Sequence, residues 1–128
     1  MSDAGAERDV PRGAIVAAVA AAERLADGTV VLAMGELFGV VDAFVVTSGR
    51  NVRHLRTVVD EVERRVREGT GRSPIAVEGL RDPSWVLMDY GDFIVHVFLP
   101  ETRDFYDLEH LWSGAPRVEW EERAAAIG

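Results

Sequence analysis

The sequence predicts an α/β fold: a five-stranded mixed β-sheet flanked by helices, in the order α-β-β-α-β-β-β-α. Three observations predict it. Apolar residues recur at helical spacing in three segments. Between them lie five short runs of β-branched and aromatic residues, bounded by Gly, Pro, Asn and Asp. The chain has 128 residues, enough for one domain with a sizeable core.

In chain order, residues 1–9 are small and polar and read as a flexible N-terminal tail. Pro11 suits the first turn of a helix, with Asp9 or Val10 near the cap. Ile15, Ala18, Val19, Ala22 and Leu25 give that helix its apolar stripe, and Gly28 is the expected stop. Thr29–Met34 and Ala43–Thr47 read as strands joined by a connection over 35–42. Ser48-Gly49-Arg50-Asn51 marks a turn into a second helix, Val52–Glu68. Its apolar face is Leu55, Val58, Val59, Val62 and Val66, and Gly69-Thr70-Gly71 ends it. Pro74–Val77, Trp85–Asp89 and Phe93–Phe98 are the remaining strands, with a loop over 78–84. Thr102 is the expected cap of a last helix carrying Phe105, Leu108, Leu111 and Trp112. The folded domain is thus expected over 10–112, and 113–128 reads as a C-terminal tail with a short helix.

Gly91-Asp92 between two strands predicts a tight hairpin. Its register pairs Tyr90 with Phe93, Asp89 with Ile94, Met88 with Val95, Leu87 with His96, Val86 with Val97 and Trp85 with Phe98. One face, Val86, Met88, Tyr90, Phe93, Val95 and Val97, is almost wholly apolar and belongs on the core. The other is Trp85, Leu87, Asp89, Ile94, His96 and Phe98. That face is too apolar to stand bare in water and too polar for a dry core. It suits a protein-binding surface with aromatic anchors. The alternative is cover by a helix of the same chain.

The net charge of −8 opposes broad nucleic-acid binding, which neutralises phosphates with Lys and Arg, and no direct DNA partner is expected. It suits docking onto a basic protein. The absence of cysteine excludes thiolate chemistry and fits the cytoplasm. No apolar run approaches the roughly 20 residues that span a bilayer, so no membrane association is expected.

Asp89, Asp92 and His96 do not converge in the predicted hairpin, so they make a poor metal site, and they lack a compact ligand motif. Thr47–Asn51 lacks the phosphate-binding glycine patterns, and Ser48 lacks a triad; a capped helix start is the simpler reading. His54 is expected on the wet side of its helix and His110 exposed. Asp42 and Asp89 would form a two-carboxylate metal or acid–base site only if the fold brought them together. Arg103, Tyr106 and Glu109 form one stripe on the last helix, either a rim beside the sheet or ordinary surface pairing. No catalytic residue, cofactor or metal is assigned.

Four stretches carry a family resemblance: FVVTSGRNVRHL at Phe44–Leu55, VEG at Val77–Gly79, WVLMDYGDFIVHVF at Trp85–Phe98 and RDFYDLEHLW at Arg103–Trp112. In this order and spacing, over about half the chain, the sequence resembles the ribosomal silencing factor (RsfS, Iojap) family. It departs at His54 or Leu55, where the family usually has a polar residue such as Gln, and in carrying Arg where the family often has Lys. The resemblance implies a nucleotidyltransferase-like fold without that fold's catalytic acids, and so a protein that is not an enzyme. It implies binding to the large ribosomal subunit through that subunit's fourteenth protein, steric blocking of the small subunit, and repression of translation under nutrient limitation. A part in ribosome biogenesis and a homodimer that hides the docking face are further expectations. Carried over, the partner-binding residues are Trp85, Leu87 and Asp89, with Asp92, Tyr106 and Glu109 at matching signature positions. The rival is a nucleotidyltransferase-like enzyme using Asp42 and Asp89 with a divalent metal.

Overall fold

The computed structural model describes residues 10–127; the expected tail over 1–9 lies outside the described residues. Helix α1 (Arg12–Glu23) leads into strand β1 (Asp27–Ala33), the short α2 (Gly35–Phe38) and strand β2 (Ala43–Ser48). Helix α3 (Val52–Thr70) follows, then strands β3 (Ala76–Glu78), β4 (Trp85–Asp89) and β5 (Phe93–Phe98). Helices α4 (Pro100–Tyr106), α5 (Leu108–Leu111) and α6 (Trp120–Ile127) close the chain. The five strands form one sheet in the order β1-β2-β5-β4-β3. Only β2 and β5 run parallel; the other neighbours are antiparallel, so the sheet is mixed as expected.

The hairpin adopts the predicted register, from Trp85 opposite Phe98 to Asp89 opposite Ile94. Tyr90 donates its backbone N–H to Phe93 O at 3.0 Å, and Gly91 supplies the positive φ of the turn. Val86, Met88, Tyr90, Phe93, Val95 and Val97 are all buried, in the core that α1 and α3 cover.

Helix α3 packs with the predicted face, Leu55, Val58, Val59, Val62 and Val66, fully buried. Its start is capped by Asn51, whose side chain accepts the His54 N–H, and Gly71 ends it in the left-handed region. His54, expected on the wet side, is half-buried instead. Its Nδ1 accepts the Arg50 N–H at 2.9 Å and its Nε2 meets Arg24 O at 2.7 Å, which ties α3 to the end of α1.

Helix α1 departs from expectation in two ways. Its buried residues are Gly13, Ala14, Ile15, Ala17, Ala18, Ala20 and Ala21, so the inner face is turned away from Val19, Ala22 and Leu25. Alanine on both sides leaves little apolar contrast to mark a stripe, and small residues bring the helix close to its neighbours. A Cβ on Gly13 would lie 2.7 Å from the Phe93 ring. The helix also stops before Gly28. Leu25 takes the left-handed position (φ 61), with Ala26 N–H on Ala21 O and Leu25 N–H on Ala22 O. Gly28 (φ 57) serves the irregularity in β1 between Asp27 and Val30.

The last helix is not continuous. It starts with Pro100 at its first position rather than at a Thr102 cap, and Asp107 (φ 49) breaks it into α4 and α5. Phe105 and Leu111, expected in its apolar stripe, are 80% and 67% exposed. The segment expected as a C-terminal tail lies along the outer edge of β1. Ala33 N–H donates to Pro116 O, Val118 N–H donates to Val31 O, and Arg117 bridges Leu32. Ala115 and Val118 are buried, and the Trp120 indole N–H donates to Thr29 O at 3.1 Å. An edge that would stand open is thereby paired.

Arg103 ties these C-terminal pieces to the sheet. It donates to Asp27 O (3.0 Å), Gly28 O (2.6 Å) and Ser48 Oγ (2.9 Å), and grips Glu109 across the helix break at 3.0 and 3.1 Å. Its side chain is 14% exposed.

Two predictions follow from this backbone. Leu25→Gly relieves a left-handed leucine that is 68% exposed, and is expected to raise stability by about 1 kcal/mol in urea unfolding. Arg103→Ala removes both hydrogen bonds to Glu109 and those to three acceptors at the end of the sheet, and is expected to cost about 2–3 kcal/mol in the same assay.

Candidate functional site

The sheet has a second face, and it is divided. On the β1–β2 side, Leu32, Met34, Val41, Phe44, Val46, Phe98 and Ala115 are buried, with Leu108 and Trp112 packed over them. Phe44 meets Trp112 edge-on at 6.3 Å and His96 at 4.7 Å. On the β4–β3 side this cover ends. Trp85, Leu87, Asp89 and Ile94 are each partly exposed. Cover by the chain itself therefore holds for the β1–β2 half of this face, and the β4–β3 half is left partly open.

β4 sets Trp85, Leu87 and Asp89 in one row, because alternate residues of a strand share a face. Tyr106, at the end of α4 and 50% exposed, lies against the Trp85 ring with centroids 4.8 Å apart. Trp85 also stacks on Phe98 at 4.9 Å. The Trp85 indole N–H donates to His96 Nδ1 at 3.1 Å, so the ring is held by three partners. Phe105, edge-on to Tyr106 at 5.0 Å, extends the exposed aromatic surface.

The remaining predicted residues lie at the margins. Glu109 is occupied by Arg103, with Arg117 at 3.7 Å. Asp92 sits in the hairpin turn, at the end of the strand away from Trp85. Arg72, just past α3, pairs with it through two hydrogen bonds of 3.2 and 2.7 Å and lies over the Phe93 ring. Asp89 Oδ1 accepts the Gly91 N–H at 2.8 Å, so this acid also shapes the turn. Asp42 is exposed at the start of β2 and its backbone N–H donates to Asp92 O. Among the described residues no group of three or more His, Asp or Glu is placed to hold a metal ion. Ser48 Oγ takes a hydrogen bond from Arg103, and His110 is exposed near Asp107.

The sequence reading had Glu78 within the VEG stretch but assigned it no role. It falls one residue past the predicted third strand, yet it belongs to β3 and pairs with Leu87, which puts it beside the row. The signal was its place opposite β4, and no local pattern shows that. The role of His96 was also illegible. It is 4% exposed, and burial drives its pKa down to about 4 from an ordinary 6.5. A neutral ring keeps Nδ1 free to accept the Trp85 indole proton.

Stability should therefore fall in acid. Above pH 6.5 the folded and unfolded chains both carry a neutral His96. As pH drops toward 4 the unfolded chain takes up a proton that the folded chain refuses, so stability declines. The expected loss from this one group is about 2 kcal/mol between pH 7 and pH 5. Urea unfolding of wild type and His96→Gln at both pH values isolates it: the variant should lack this component.

The family model described as ribosomal silencing factor during starvation matches residues 7–127. Ribosomal silencing factor RsfS of Zymomonas mobilis is 40% identical over 73 residues, 57% of this chain and 54% of that protein, so the match spans about half of that relative. RsfS of Bacillus subtilis is 33% identical over 104 residues, covering 81% of this chain and 87% of its own. A mouse protein named mitochondrial assembly of ribosomal large subunit protein 1 is 36% identical over 74 residues, 56% of this chain and 32% of that protein. Among solved structures, a Chromobacterium violaceum protein superposes with a TM-score of 0.77 at 28% identity, over 82% of this chain and 87% of that one.

Proposed function

The chain belongs to the ribosomal silencing factor family, and from that premise we propose that it binds the large ribosomal subunit through that subunit's fourteenth protein. Bound there, it keeps the small subunit from docking and so represses translation under nutrient limitation. The mechanism is steric and needs no chemical step. The observation that carries this reading is the partly exposed row of Trp85, Leu87 and Asp89, with Tyr106 against Trp85. Aromatic anchors held in place beforehand lose little entropy on binding, and a ring of polar groups around them gives register. Asp92 and Glu109 stand at the margins of this surface, each already holding an arginine, and they keep its edges in shape.

The charge of −8 favours a basic partner and speeds encounter with it. The name of the mouse relative supports a second part, in assembly of the large subunit. The working compartment in this reading is the cytoplasm, where the ribosomal partner would be met. A homodimer that buries Trp85 would store the protein in a silent form.

Co-sedimentation with isolated large and small subunits tests the reading. Wild type should pellet with large subunits alone and reduce their joining to small ones. Trp85→Ala should weaken that binding by roughly thirtyfold, about 2 kcal/mol, as loss of an aromatic anchor does. Asp89→Arg should weaken it by charge reversal. Folded variants that bind as wild type would place the contact surface elsewhere, and no wild-type binding to either subunit would sink the reading.

A further inference from the structure

A cleft of about 310 Å³ opens between β3 and β4, lined by Glu78, Gly79, Trp85 and Leu87. Its construction follows from backbone pairing. Glu78 and Leu87 are register partners, so their side chains stand on the same face of the sheet. Gly79 follows with φ 96, and a Cβ there would lie 2.2 Å from the Trp85 carbonyl oxygen. Only glycine allows the chain to pass this close, and the passage sets Glu78 at the rim beside Trp85.

The walls and the rim differ in character. Trp85 and Leu87 are partly buried and apolar, while Glu78 is exposed. Several carboxylates elsewhere on the molecule are already in use. Glu61, Glu68, Glu23, Asp92 and Glu109 each hold an arginine. Among the described residues the Glu78 carboxylate has neither a hydrogen bond nor an ion pair; the residue's hydrogen bonds are those of the backbone ladder. It is a free acid at the mouth of an apolar slot, on the face already read as a docking surface.

We propose that this cleft receives a cationic side chain, arginine or lysine, from the basic protein on which the chain docks. The apolar walls take the aliphatic stem and the Glu78 carboxylate takes the charge, the arrangement that long basic side chains prefer. A phosphate cannot use the site, because the carboxylate repels it and no cation lines the slot. The inference rests on the docking reading above and deepens it by naming the chemistry recognised.

Binding to purified large subunits is measured at low and high salt for wild type, Glu78→Gln, Glu78→Arg and Trp85→Ala. Glu78→Gln should bind about tenfold more weakly at low salt, with a flatter salt dependence. Glu78→Arg should lose more. Glu78 is exposed, so both variants should keep the wild-type melting temperature. If Trp85→Ala loses binding while both Glu78 variants match wild type at each salt, the docking face stands and the cleft proposal fails. If wild type binds neither subunit, a second measurement on the isolated protein decides. The Trp85 indole N–H signal is followed by NMR during titration with N-acetyl-arginine amide or N-acetyl-lysine amide, with N-acetyl-glutamine amide as control. A saturable shift with one or both cations, lost in Glu78→Gln, supports the proposal, and the stronger shift tells which cation fits. No shift, or an equal shift in the variant, overturns it.

Discussion

The pairing of β4 with β5 decides which residues of this protein meet water. Side chains alternate along a strand, so one register puts Val86, Met88, Tyr90, Phe93, Val95 and Val97 beneath α1 and α3 and leaves Asp89 and His96 on the other face. A slip of one residue would drive a carboxylate and an imidazole into a dry core while exposing a row of valines. The cost of such a slip makes the register unambiguous. Two local devices hold it at the turn: Gly91 with its positive φ, and the Asp89 carboxylate on the Gly91 N–H. Arg72 adds a clamp from the end of α3, reaching the Tyr90 carbonyl as well as Asp92.

With one face committed to the core, the other can be covered or left open, and the chain does both. The C-terminal segment crosses to β1, pairs with its outer edge and lays Leu108 and Trp112 over Phe44 and its neighbours. Arg103 makes this crossing possible. Its guanidinium satisfies carbonyls of the β1 bulge, a serine at the end of β2 and a glutamate beyond the helix break. A continuous helix over 100–112 would have carried Glu109 elsewhere. The break at Asp107 thus serves the packing, and it leaves Tyr106 against Trp85.

The uncovered remainder is small, but its parts are fixed in place. Trp85 is held by Phe98, Tyr106 and the His96 acceptor, so its orientation is set before any partner arrives. His96 gains no charge for chemistry, since burial keeps it neutral, and its use lies in orienting the indole. Preorganised aromatic surface flanked by acids suits recognition of a basic protein surface by fit and charge. The steric action proposed above needs only that.

By itself the sequence determined whatever depends on local periodicity with strong contrast. The hairpin register, the buried face of α3 and the order of the five strands and two long helices were legible because apolar and polar residues alternate sharply there; the short helix over Gly35–Phe38 and the break at Asp107 were not. The four signature stretches likewise sufficed for the family. Tertiary structure alone decided the rest. The inner face of α1 was hidden because alanine surrounds the helix and supplies no contrast. The cover over Phe44, the use of Arg103 and the place of Glu78 opposite Leu87 arise from contacts between distant segments, 76 residues apart for Arg103 with Asp27 and 91 for Trp120 with Thr29. No window of sequence contains both partners of such a contact. For the same reason a reader of the sequence sees an amphipathic sheet face, and only the folded chain shows that half of it is closed and half left open.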